Sequence, residues 1–182
     1  MKRAFILILA MLMLALPVLA EPMTGLAFTT DVADDGSLIF YFEDLTMRLP
    51  ASWDEKVVGL PGPSGLAFYH RASYEKYLEE GIENGGFLFS LGACVNSSFS
   101  ELPSFEYLGF SEISCMNYYF ELPSDYPAYM GDESIRAEYD AMHAQIDDIV
   151  KSVVIYGPDD EEAAPAQDDS APADSGQGNK HQ

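Results

Sequence analysis

Positive charge is what this sequence has least of. Lys and Arg number 9 against 30 Asp and Glu, for a formal net charge of −21. Affinity for nucleic acid or for an anionic membrane depends on Lys and Arg displacing counterions. Neither is therefore expected as a partner. Metal-ligand spacing is missing too: no H-x-x-x-H or C-x-x-C pair occurs, and neither a metal nor a cofactor is expected. After the first twenty residues, no apolar run approaches the ~20 residues that a spanning helix needs. The remainder should be soluble.

What is present at the N-terminus points to export. Lys2 and Arg3 precede the uncharged run "AFILILAMLMLAL" at 4–16, Pro17 breaks it, and Val18-Leu19-Ala20 supplies small residues before a cut after Ala20. That is the layout of a cleavable secretory signal. No cysteine follows the run, which disfavours a lipid anchor. Loss of Lys2 and Arg3 leaves the chain still more acidic. Roughly 160 residues remain, enough for one domain and a tail.

Residues 21–36, "EPMTGLAFTTDVADDG", read as a mobile lead-in. "DVADDG" fails the calcium-loop template, with Ala33 at its third position and Phe42 at its twelfth, so a turn is expected. Leu38, Phe40 and Phe42 then alternate with Ile39, Tyr41 and Glu43, and Leu45, Met47 and Leu49 with Thr46 and Arg48; each set reads as a strand, the second with one polar face. "KVVGL" at 56–60 is a short strand and "PGPSG" at 61–65 a turn. In "FYHRASYEKY" (68–77), Leu66, Phe68 and His70 share one strand face, and Ala67, Tyr69 and Arg71 the other. Ser73 is placed to cap a short helix that Gly81 closes. "GGFLFSLGACV" at 85–95 is apolar on both faces, the mark of a central strand covered on both sides. "FEYLGF" (105–110) and "MNYYFEL" (116–122) complete the strands. Ile135, Tyr139, Met142, Ile146, Ile149 and Val153 recur at helical period, with Asp132 or Ser134 as cap. Residues 157–182 lack Leu, Ile, Val and aromatics and read as a disordered acidic tail.

Two cysteines in an exported chain raise the question of a disulfide, worth about 3 kcal/mol for a ~20-residue loop. A simple meander places Cys94 and Cys115 at opposite ends of the 105–110 strand. Six residues span about 20 Å, whereas a disulfide needs Cα atoms within about 7 Å. Two unpaired, buried thiols are expected.

Catalytic signatures are incomplete. "SYEK" (73–76) has the S-x-x-K form of penicillin-binding acyl enzymes but lacks S-D-N and K-T-G. "GPSGL" (62–66) is not a nucleophile elbow, because Leu66 stands where glycine is required. "NSS" at 96–98 is a glycosylation sequon only in a eukaryotic export path. His143 falls at the edge of the helical stripe. Tyr69, His70 and Arg71 are the candidate binding residues: either they line a cleft beside the 74–80 helix, suited to a carboxylate or sugar, or they end an ordinary strand.

"LTMRLPASWDEK" (45–56), "FYHRASYEKY" (68–77), "GGFLFSLG" (85–92) and "YDAMHAQIDDIVKSV" (139–153) resemble a family of small secreted proteins of Gram-positive anaerobes. The order of strands, short helix and final helix is similar to the PsbP-like α/β/α sandwich. The resemblance implies an extracytoplasmic, often non-catalytic domain and transfers no catalytic residue. The cysteines and the acidic tail lie outside it.

The expectation is one α+β domain over residues 37–156. Its antiparallel sheet of five to seven strands is covered by the C-terminal helix on one face and by the short helix on the other. The function expected first is a secreted binding or accessory module for a peptide, glycan or protein at the cell exterior. A small hydrolase using His70 and a cell-surface or matrix interaction protein are the alternatives. Two observations separate them. A pocket in which His70 meets an acid and a Ser or Cys favours an enzyme; His70 buried among aromatics favours the others.

Overall fold

The computed structural model describes residues 26–62, 65–96 and 102–160. The expected leader at 1–20 and most of the expected tail, from 161 onward, lie outside the described residues. Strands run Phe28–Val32 (β1), Leu38–Phe42 (β2), Leu45–Leu49 (β3), Val57–Gly62 (β4), Gly65–His70 (β5), Phe87–Cys94 (β6), Phe105–Ser111 (β7), Met116–Glu121 (β8) and Val154–Ile155 (β9). Helices run Arg71–Glu79 (α1), Glu133–His143 (α2) and Ile146–Ser152 (α3).

The strands form two antiparallel sheets rather than one: β1-β2-β3-β9 and β4-β5-β6-β8-β7. Each side of the β2–β3 hairpin alternates, and Leu38 pairs with Leu49 and Phe40 with Met47. One face of the β2–β3 hairpin is therefore wholly apolar. It packs on the five-stranded sheet, where Phe40 meets Phe68 edge-on at 5.4 Å. The Phe68, Phe89 and Phe120 rings stack in a row at 4.7 Å spacing across three strands. Such pairs contribute ~0.5–1.5 kcal/mol each beyond their buried area. Tyr139, Met142, Ile146 and Ile149 close this core from the helical side.

The expected strand β6 is central, as its apolar run implied. Its second covered face has a different origin. Phe68 pairs with Phe89 but Tyr69 with Phe87, so Leu88 is the extra residue of a bulge. A bulge breaks the alternation, and the consecutive Leu88 and Phe89 both reach the core. Ser90 and Cys94 remain half exposed.

Five other expectations are corrected. Phe28–Val32 lies inside the stretch read as a mobile lead-in, yet pairs with β2 along its whole length. The folded part therefore begins before residue 37, with 33–36 as the hairpin turn. Val57–Gly62 pairs with β5 through Gly62, so the turn is shorter than 61–65. The C-terminal stripe belongs to two helices with a break at Ala144–Gln145. The three last strands of the five-stranded sheet are not a meander: β8 pairs with β6, and β7 lies outside it. Tyr118 and Phe120 are buried while Tyr107 and Phe110 are exposed, so burial puts β8 in the middle. Cys94 and Cys115 are both free; Cys94 is half-buried and Cys115 is exposed rather than buried.

The two sheets are tied at one end. Asp44, in the β2–β3 link, is fully buried. Its carboxylate accepts from Ser114 Oγ at 2.5 Å and from the Tyr118 hydroxyl. Burial first, and then the bond to Asp44, pushes the Tyr118 phenol well above its usual range. The same end carries β9, whose Ile155 side chain lies against Gly109 of β7.

Candidate functional site

Alternation along β5 sends Leu66, Phe68 and His70 into the core and Ala67 and Tyr69 to the opposite face. His70 is the last strand residue, and its imidazole is fully buried. Nε2 lies 3.0 Å from Glu138 Oε1 on α2, and Glu138 Oε2 lies 2.9 Å from Lys56 Nζ. Nδ1 lies 2.9 Å from Ser73 Oγ in the first turn of α1. The bond from His70 and then that from Lys56 hold the Glu138 carboxyl below its ordinary value. An ionised carboxylate only accepts, so Nε2 carries the hydrogen. In the neutral ring, Nδ1 then accepts from the Ser73 hydroxyl.

Serine, imidazole and carboxylate thus stand in the order of a hydrolytic triad, with the two ring nitrogens exchanged. Access is what this arrangement lacks. Ser73 is fully buried, and its Oγ takes the Tyr129 N–H at 3.0 Å. Gly86 lies against it: a Cβ there would meet Ser73 Cβ at 2.8 Å and the His70 carbonyl at 2.9 Å. The chain is clamped in this position because the His70 N–H donates to the Gly86 carbonyl at 2.7 Å, and the Gly86 N–H donates to that of Pro127 at 2.8 Å. Gly86 has φ +78°, a backbone region that favours glycine. The ring also packs edge-on against Tyr139 at 6.0 Å. Both features that were to separate enzyme from binding module are therefore present in part: the acid and serine partners, and the aromatic burial.

The other two candidates go elsewhere. Arg71 opens α1 and turns back, donating from Nε to the Glu55 carbonyl at 2.7 Å and from Nη2 to that of Val57 at 3.1 Å. It fastens the start of β4. Ser73 is not the cap expected of it, because the helix begins two residues earlier. Gly81 does close the helix in the left-handed region, with Ile82 N–H bonded to the Tyr77 carbonyl at 2.8 Å. Tyr69 faces the opposite side of the sheet. It packs against Tyr74 at 5.3 Å and Phe87 at 5.6 Å, and burial pushes its phenol up.

Tyr69 lines a groove of about 740 Å³ on that face. Ala67 and Ser90 form part of its floor; the residues after α1 and those from Glu121 to Pro127 form its walls. Among the described residues, its aromatic lining is Tyr69, Tyr77, Phe87 and Tyr126, its charged lining is Glu83, Glu121 and Asp125, and no Lys or Arg lines it. The three carboxylates are exposed. Tyr126 is half exposed and donates to Asp140 at 2.6 Å; desolvation and then that bond raise its phenol to about 12.

Sequence reasoning missed Glu138, the partner role of Ser73, and the acidic rim of the groove. For Ser73 a signal existed: it stands three residues after His70, one helical turn away. For Glu138 none did, since it lies 68 residues from His70. No family model, curated protein or solved structure matches the chain.

Proposed function

We propose that the chain is an exported, non-catalytic binding domain whose ligand is an extended, cation-bearing segment, such as a basic peptide, held in the groove beside Tyr69. One observation carries this reading: among the described residues, three carboxylates and four aromatic rings line a single groove that has no Lys or Arg. A Lys or Arg over a tyrosine face gains ~0.5–1 kcal/mol when exposed and about 2 when desolvated. Carboxylates at the rim add a charge partner, and a net charge of −21 draws cations from a distance. Export rests on the N-terminal layout, and the likeness to small secreted proteins points the same way.

Fluorescence anisotropy of a labelled Lys-Gly repeat peptide, added to the exported chain, tests it. The double variant Glu121→Gln/Asp125→Asn should bind roughly tenfold more weakly, since each lost charge contact is worth up to ~1 kcal/mol. Glu133→Gln/Asp148→Asn, outside the groove, should bind as the parent does. Equal weakening in both pairs would reduce the effect to overall charge and end the proposal.

A hydrolase using His70 is the second reading, favoured by the Ser73–His70–Glu138 chain of hydrogen bonds. The complete burial of Ser73 and His70 supports the binding reading over it. A fluorophosphonate probe distinguishes them: covalent labelling of the native chain that Ser73→Ala abolishes would establish the enzyme.

A further inference from the structure

The expectation of two distant thiols stood on a meander that the structure replaces. Cys94 is the last residue of β6 and pairs with Asn117 of β8; Cys115 lies two residues before Asn117. The two cysteines are thus diagonal neighbours at one end of adjacent strands. Diagonal positions in an antiparallel pair stand about 7–8 Å apart at Cα, just beyond the ~7 Å that a disulfide spans. Both are at places where a small shift is cheap: Cys94 ends its strand, and Cys115 closes the turn between β7 and β8.

Three local details narrow the gap. The Cys94 thiol donates to the Asn96 carbonyl at 2.7 Å, so it leans along the chain toward the level of Cys115. The Asn117 amide donates to the carbonyls of Val95 at 3.0 Å and Cys94 at 3.4 Å, which holds the end of β6 against β8 past the last ladder pair. Cys115 has φ +56°, a conformation that side-chain-bearing residues other than Asn and Asp seldom adopt. Rotation about its Cα–Cβ bond frees Sγ from a long, weak contact of 3.8 Å with the Glu112 carbonyl.

We infer that Cys94 and Cys115 are a modification site: a dithiol that a disulfide-bearing oxidant converts to an intramolecular bond. In that exchange one thiolate attacks the oxidant's disulfide and expels a thiolate. The second cysteine thiolate then attacks the mixed disulfide and expels the other. Two protons and two electrons leave the protein, and the oxidant is reduced to two thiols. The bond would staple the β7–β8 turn, and with it Ser114 and its bond to Asp44, to the central strand.

Ellman titration of the guanidinium-unfolded chain, after incubation of the native protein with oxidised glutathione, tests this. No titratable thiol should remain, a reductant should restore two, and the chain should run as a monomer on a non-reducing gel. The oxidised chain should melt about 5–10 °C above both its reduced form and Cys94→Ser/Cys115→Ser. Two thiols after oxidation, stable glutathione adducts, or a reductant-sensitive dimer would each overturn the inference. The titration uses the parent chain alone, so it stands even if the double variant folds poorly.

Discussion

Tyr69 and His70 are consecutive, yet the sheet puts them in two different environments. His70 looks into the interior, where both of its ring nitrogens have a partner. Tyr69 looks over an acidic, aromatic groove with space for a ligand. The comparison teaches that polar residues at the end of a strand carry no single meaning. Period-two alternation separates a residue that joins the layers from one that lies against a groove on the opposite face, and residue type alone does not say which is which.

The sharpest way to break the comparison is in the interior. Phe89→Ala removes the middle ring of the stacked row and should cost ~3–5 kcal/mol in urea unfolding; a loss below ~1 kcal/mol would mean that the row is not the core. Next, Asp44→Ala leaves the half-buried Ser114 and the buried Tyr118 hydroxyls without their acceptor and should cost ~2–4 kcal/mol. Were its chemical-denaturation midpoint unchanged, the tie between the sheets would be illusory. His70→Ala should cost ~2–3 kcal/mol through lost packing and an orphaned Ser73, while peptide affinity stays put. A selective loss of affinity with normal stability would move His70 to the ligand side.

A pH series sharpens the same contrast. The Glu138 carboxyl is held down in the folded state, so its contribution is present above its unfolded value near 4.5 and fades as pH falls through the folded value. The stability gap between the parent and Glu138→Gln should therefore be widest at neutral pH and narrow in acid. A gap independent of pH would show that His70 and Lys56 do not lean on that charge. The smallest effect belongs to the groove: Glu121→Gln should alter unfolding by less than ~0.5 kcal/mol, and only binding should register it.

Much of this architecture was legible. Tyr139, Met142, Ile146 and Ile149 announced a buried helical face, and all four are buried. The break within that face was not, because Ala144 and Gln145 are ordinary helix residues and the tight Gln145 to Met142 turn keeps the stripe in phase. The position of β8 escaped because a meander is the natural reading of consecutive strands. Gly109 inside "FEYLGF" was the available hint: glycine within a strand often marks a bulge, and the register does shift between Tyr107 and Gly109. The groove was illegible for a simpler reason. Glu83, Glu121 and Asp125 are three acids among 30, and only the fold gathers them.

The last strand has a mechanical consequence. Val154 and Ile155 make a two-residue strand against β3, followed by a Tyr156 N–H bonded to the Asp44 carbonyl at 2.8 Å. Whatever residues 157–182 are attached to would pull on this short clasp before any load reached the stacked rings. Tension applied there should unzip the margin where the two sheets meet while the groove on the far side keeps its shape.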